Sequence, residues 1–410
     1  MLIGKALEKL GRELQTPGPI VNRALSTNRV TCDDLLESRY PWLRPLQVYA
    51  APTPRRRVNI ITDSVSAGSL FGGVGTAIIF AALAAEHLGA TLRVITRTEK
   101  PDRGRVHEVL KRNAVQWSEN IDFAFADVYK HRSQVDAGAD ELFITTSWWT
   151  TWSTKASVDE RSIIYLLQED ERTFYPFGDE HLRCSELLAS TAIRFVVNSR
   201  LLFEHFVNDG LDNIARRGVW FEPAFPARIP RSKPRSADGR LKLFFYARPN
   251  NARNLFYLGI EVLDEAIRHG ILDLNKWEVH FVGKDVPPIV FSNGYSPHRA
   301  ENLTWGAYFE LIATMDVGFC LMYSPHPSYP PLDLAAAGAL VVTNRYGRKE
   351  DLSRYSSAIT CSELAKDDLV TALAKALDQA GSSAAHEKRG DRLLTDWRIA
   401  FQPVLSHLFQ

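Results

Sequence analysis

Short apolar runs alternating with longer helical patterns pass through this chain twice, and that repeat constrains the fold more than any other feature. VNIITDS (58–64) is an unbroken strand-like run; a Gly-rich loop follows, then a helical pattern through AIIFAALAAEHLG and a second run, TLRVIT. FAFAD, ELFITT, SIIYLLQ and IRFVVNS continue the series. After residue 240 it restarts with LKLFFYA, LFYLGIEVLDEAIRHG, EVHFVG, YFELIATM, DVGFCLM, PLDLAAAG and ALVVTN. Strands that are apolar on both faces and separated by helices specify parallel sheets covered on both sides. The expected fold class is α/β, with two Rossmann-like doubly wound domains facing across a cleft.

PARIPRSKPRSADGR lacks apolar periodicity and is rich in Pro, Arg and Ser, as an exposed linker would be. The expected division is an N-terminal helical extension (1–50), a first Rossmann-like domain (51–225), a linker (226–240), a second Rossmann-like domain (241–395) and a C-terminal helix (396–410) packing back on the first domain. MLIGKALEKLGREL at the start is amphipathic, with Leu2, Ile3, Leu7 and Leu10 on one helical face. It reads as a helix lying on its own domain, or one docking on an anionic membrane surface.

Composition excludes some functions. A formal net charge of +1 with 24% charged residues gives no field for holding nucleic acid. Cys32, Cys184, Cys320 and Cys361 are far apart, without CxxC or Cys/His spacing, which argues against a disulfide framework or structural zinc. The absence of a signal-type or membrane-spanning run gives a cytoplasmic expectation, with peripheral contact on the inner face of the cytoplasmic membrane as an option.

In open parallel sheets ligands sit outside the carboxyl ends of the strands, where strand order reverses. FFYARPNNARN (244–254) empties a strand into a turn bearing Arg248 and Arg253, two guanidinium forks suited to phosphate oxygens beside a helix start. SPHPSYPPLDLAAAG opens a helix with Ser328 as N-cap candidate and Pro330 and Pro331 after it. Asp333 is the one carboxylate in that apolar turn and needs a partner, either a sugar hydroxyl or backbone. His326 bonds a donor group or merely backbone. QEDERTFYP (168–176) puts carboxylates just past an apolar strand, beside aromatic rings able to lie against a sugar. SAGSLFGGVGT brings Gly72, Gly73 and Gly75 to the mouth of the first helix, but without G-x-G-x-x-G. The second strand ends in Arg97 and Thr98 rather than an acid, which disfavours NAD and leaves NADP open. Trp148, Trp149 and Trp152 past a strand end read equally as a glycan platform or as core.

Taken together, ARPNNARNLFYLGIEVL, WEVHFVGKD, NLTWGAYFELIATMDVGFCLMYSP and PLDLAAAGALVVTN resemble the C-terminal half of family 4 nucleotide-sugar glycosyltransferases, which have the GT-B architecture. SIIYLLQEDERTFYPFGDEHLR resembles the signature of the dTDP-L-rhamnose-dependent rhamnosyltransferases of surface-glycan synthesis, with Gln168, Glu169, Glu171, Phe174, Tyr175 and Pro176 matching and Glu169 where Asp is usual. The resemblance implies that Arg248 and Arg253 grip the donor diphosphate, with Arg253 in place of the usual Lys, so that neither metal nor cofactor is required. Of an acidic pair eight residues apart, the second falls on Asp333, which would bond the nucleoside sugar. The first falls on Pro325, and that loss points to a deoxysugar.

Implied site residues follow. Arg248, Arg253, Glu169 and Asp170 are the catalytic candidates. Asp333, Gly283, Lys284, Leu303, Thr304, Trp305, His326, Ser328 and Tyr329 are the donor-binding set, and Gly72, Gly73, Gln168, Glu171 and Tyr175 the acceptor-binding set. The implied activity is retaining transfer of L-rhamnose from dTDP-β-L-rhamnose to a hydroxyl of a growing, lipid-linked glycan, by a chain that forms a homodimer or acts alone. UDP or GDP donors, an epimerase or hydrolase, and a degenerate glycan-binding module remain the rival readings.

Overall fold

A computed structural model describes residues 30–66, 73–130, 132–226, 239–381 and 392–410. The amphipathic N-terminal stretch, most of the linker and Gly72 lie outside the described residues.

The first domain contains β1 (Gln47–Ala50), β2 (Arg57–Thr62), β3 (Thr91–Thr96), β4 (Ile121–Phe125), β5 (Gln134–Ala137), β6 (Leu142–Thr145), β7 (Ile163–Leu167), β8 (Arg194–Asn198) and β9 (Val219–Phe221). Seven of these form one parallel sheet in the order β4-β3-β2-β6-β7-β8-β9, while β1 and β5 pair separately. Every residue of β7 is buried, as the apolar run IIYLL requires. The helix Gly75–His87 is buried from Gly75 to Ala85, because it is sandwiched between the sheet and the C-terminal helix Trp397–Leu408. That last helix packs on the first domain: Phe401 lies 5.0 Å from Phe80 and 4.4 Å from Phe221 between ring centroids. Trp397 Nε1 donates to Asn113 Oδ1 at 2.9 Å.

The second domain holds β10 (Leu241–Ala247), β11 (Trp277–Gly283), β12 (His298–Glu301), β13 (Val317–Phe319), β14 (Leu340–Asn344) and β15 (Ile359–Ser362), all parallel, in the order β12-β11-β10-β13-β14-β15. Two of these strands escape sequence reading, and both are edges. HRAE in β12 is largely polar, with His298 and Arg299 exposed, because an edge strand meets solvent along one side. The DVGFCLM run pairs over only three residues, Val317 to Phe319, before the chain turns into the cleft.

Strand order reverses between β2 and β6 in one sheet and between β10 and β13 in the other. The carboxyl ends at these two crevices meet across one cavity. Among the described residues no helix is long and apolar enough to cross a membrane, and all four cysteines are free thiols.

Candidate active site

The cavity between the sheets has a volume of about 380 Å³, within the range of small-molecule sites. Gly73, Thr76, Thr146, Gln168, Glu169, Glu171 and Phe174 line it from the first domain. Tyr246, Arg248, Arg253, Gly283, Lys284, Leu303, Trp305, Tyr308, His326, Ser328, Tyr329 and Asp333 line it from the second.

The two arginines are not equivalent. Arg248 follows β10 directly, is half-buried, and donates Nη1 to the Tyr246 hydroxyl at 3.3 Å. Among the described residues it has no carboxylate partner. Arg253, on the short turn before the helix Phe256–Arg268, donates Nη1 to Glu169 Oε2 at 2.6 Å and lies 4.1 Å over the Phe174 ring. Both arginines expected to grip a diphosphate thus line the cavity, but only Arg253 is held there by a carboxylate among the described residues. Arg253 stands in the cavity wall, engaged across the cleft.

Glu169 is the other end of that engagement. Its Oε1 accepts from the Asp170 N–H at 3.0 Å and from the Ser324 hydroxyl of the second domain. Glu171, two residues on, is buried and accepts from the Trp148 N–H at 2.6 Å. Burial pushes its carboxyl up to about 8. Gln168 donates to the Gly73 carbonyl at 2.5 Å and so holds the Gly-rich loop against β7.

Asp333 also lines the cavity from the second domain, where its Oδ2 accepts from the Tyr308 hydroxyl at 3.2 Å. Burial pushes its carboxyl up to about 7. Among the described residues no cation pairs with it, so a ligand hydroxyl is the chemically fitting complement. The SPHPSYPP loop leads into its helix, Tyr329–Ala336. Ser328 occupies the N-cap position with φ of 69°, but its side chain makes no capping hydrogen bond. His326 is buried, and its Nδ1 accepts from the Ser328 N–H at 2.9 Å. Tyr329 crosses the cleft: its hydroxyl shares a hydrogen bond with Thr76 Oγ1 at 2.6 Å and accepts from Asn198 Nδ2 at 2.8 Å.

Several expected residues are placed elsewhere. Asp170, expected to be catalytic, is off the cavity wall, bound by Arg172 Nε and Nη2 at 2.8 Å each and by His205 Nε2 at 2.9 Å. Those partners hold its carboxyl down at about 2, and it serves as the cap of a short 3-10 turn. Tyr175, expected at the acceptor, faces Trp148 and takes its indole N–H at 3.1 Å. Thr304 caps the helix Trp305–Ile312 through the Ala307 N–H at 3.3 Å. Trp148 is fully buried, so the core reading holds for it, while Trp149 Nε1 donates to Asp63 at 2.7 Å.

Sequence reading missed Tyr308, Ser324, Thr76, Asn198 and the cavity-lining residues Asn113 and Trp397. None carries a local signal. Each enters through a contact more than twenty positions away in the chain.

Two parallel-sheet α/β domains closing over one cavity define the GT-B fold. More particularly, residues 57–191 match the WsaF N-terminal domain and residues 241–374 the WsaF C-terminal domain, so the chain carries both WsaF domains in order. It is 33% identical over 214 residues to the O-antigen biosynthesis protein RfbC of Myxococcus xanthus, spanning 50% of this chain and 16% of that protein's length. Its fold is similar to Anabaena HepE in complex with UDP and glucose, with a TM-score of 0.58 at 11% identity over 85% of this chain and 98% of that one. Sucrose-phosphate synthase from Thermosynechococcus elongatus is similar with a TM-score of 0.56 at 13% identity, over 86% of this chain and 98% of that one.

Proposed function

We propose that this chain is a retaining glycosyltransferase that moves L-rhamnose from dTDP-β-L-rhamnose to a hydroxyl of a growing surface polysaccharide. The observation that carries the reading is the presence, in one cavity, of Arg248, which among the described residues has no carboxylate partner, and Asp333, a buried carboxylate that among the described residues has no cation partner. A nucleoside diphosphate supplies what both lack: phosphate charge for one, a sugar hydroxyl for the other. The O-antigen name of the RfbC relative and the UDP and UDP-glucose complexes of HepE support the class of ligand. The likeness to family 4 and the Pro325 position favour a deoxysugar donor.

In this reading Gly283, Lys284, Leu303 and Trp305 enclose the base, Asp333 takes the 3′-hydroxyl, and Arg248 neutralises the diphosphate as the bond from anomeric carbon to phosphate oxygen breaks. Arg253 joins it by exchanging Glu169 for phosphate. Glu169, released, accepts a hydrogen bond from the acceptor hydroxyl. The new glycosidic bond forms on the face the phosphate leaves, and the acceptor proton passes to the departing phosphate oxygen. Guanidinium charge does here the work of a divalent ion, so turnover should persist in EDTA.

Calorimetric titration with dTDP, UDP and GDP, followed by product analysis with dTDP-L-rhamnose, tests the assignment. Tightest binding of dTDP and rhamnose transfer are expected. Preference for UDP would move the donor to the class bound by HepE. Release of free or isomerised sugar without acceptor would favour a hydrolase or epimerase, and no nucleotide binding at all would leave a glycan-binding module.

A further inference from the structure

The helix start on the second domain's cavity wall is short of backbone hydrogen-bond donors. A helix start holds an anion chiefly through the free N–H groups of its first turn. In the helix Tyr329–Ala336 the two residues after Tyr329 are Pro330 and Pro331, which have no N–H. The Ser328 N–H, just before it, is taken by His326 Nδ1 at 2.9 Å. Tyr329 alone retains one.

That same bond decides the state of the imidazole. Because Nδ1 accepts, the ring proton sits on Nε2. Burial, with Lys349 and Arg253 nearby, pushes the imidazole down to about 3, so the ring is neutral in that tautomer. His326 is 5% exposed, lies on the cavity wall, and among the described residues its Nε2 has no hydrogen-bond partner. A buried N–H without an acceptor is costly and rarely left so. The backbone behind it is fixed: His326 N–H donates to Ser324 Oγ at 3.0 Å, and Ser324 is held by Glu169.

We propose that His326 is a phosphate-positioning residue whose Nε2–H donates to an oxygen of the donor diphosphate, replacing the helix N–H groups that Pro330 and Pro331 remove. The proposal rests on the reading of the cavity as a nucleotide-sugar site. It makes the histidine a neutral donor that directs the diphosphate toward Arg248, not a second cation and not a proton source. Coupling to the two prolines is what distinguishes it from incidental lining: the loop spends one backbone N–H to orient the ring that stands in for two others.

The test is calorimetry on the full chain with dTDP, UDP and GDP and with the uncharged nucleosides thymidine, uridine and guanosine, for wild type, His326→Ala and His326→Gln. The glutamine amide N–H reaches about where the imidazole Nε2–H lies. The alanine variant should lose about 10- to 100-fold in affinity for the preferred diphosphate, the range of a hydrogen bond to a charged group, with nucleoside affinity nearly unchanged. The glutamine variant should recover most of the loss. Equal losses for nucleoside and diphosphate, or no loss for either, would overturn the role. Should the alanine variant not fold, the wild type labelled with ¹⁵N-histidine answers directly: the Nε2–H resonance absent from the His326→Gln spectrum should move downfield with diphosphate and not with nucleoside, and an unmoved resonance counts against the proposal. Failure of the wild type to bind any diphosphate would instead refute the nucleotide-sugar reading itself, and the histidine's role with it.

Discussion

Arg248 and Arg253 differ by what stands opposite each one. Arg253 faces Glu169 at 2.6 Å, whereas among the described residues Arg248 bonds a tyrosine hydroxyl beside the cavity. Replacing Arg248 by Ala should lower turnover about 100-fold or more, as loss of a charge-stabilising donor does, and leave the melting temperature within a few degrees of wild type. Unchanged turnover in a rhamnosyl-transfer assay would refute the diphosphate role.

Asp333 makes a pH-dependent prediction at the same scale. Its carboxyl is raised from an ordinary 3.8 to about 7 by burial. The folded state then binds a proton that the unfolded state has already released, so stability falls as pH rises from about 4 and the loss is complete above about 7. Asp333→Asn has no charge to bury. Its urea midpoint should exceed that of wild type at pH 8, with the gap closing toward pH 4, and equal midpoints at pH 8 would show that the carboxylate is solvated after all.

At the scale of elements, the close approach of β10 and β11 is what sets the floor of the site. Gly283 pairs with Ala247 at the carboxyl ends of the two strands, and a Cβ built on it would lie 1.7 Å from the Ala247 carbonyl oxygen. Only the backbone itself is there to move. Gly283→Ala should therefore destabilise by about 3 kcal/mol or more, the upper end of overpacking costs, read by chemical denaturation. Gly73→Ala offers the contrast: its added Cβ meets Gln168 Nε2 at 3.3 Å, the end of a side chain that can give way. A much smaller stability loss is expected there. Had both substitutions cost the same, strand proximity would not be the cause.

For the whole molecule, the two domains meet through apolar packing, with Leu201 and Phe225 of the first in the core of the second, and through polar contacts that cross the cleft. Glu169 reaches Arg253 and Ser324; Tyr329 reaches Thr76 and Asn198; Tyr355 donates to Glu222 at 2.7 Å. Diphosphate binding at Arg253 competes with the first of these, so donor entry and release of Glu169 are coupled. Glu169→Gln weakens the pair without removing its shape. In small-angle scattering the ligand-free variant should have a larger radius of gyration than wild type, contracting when dTDP is added. A radius identical to wild type would mean that Tyr329 and the remaining contacts hold the cleft closed alone.

Buried parallel strands have to be apolar on both faces, so the two-sheet plan was legible in the residue order. For the same reason Arg248, Glu169 and Asp333 could be picked out as polar groups at apolar strand and helix ends. The edge strands β12 and β15 were not legible, because an edge with one wet face loses the pattern that marks a central strand. Nor did adjacent letters distinguish Glu169, which enters the cavity, from Asp170, which turns away to Arg172 and His205. That choice belongs to tertiary structure: a one-residue step at the end of a strand reverses the direction of the side chain, and only the neighbours brought there from distant parts of the chain decide which carboxylate pairs away from the cavity and which pairs within its wall.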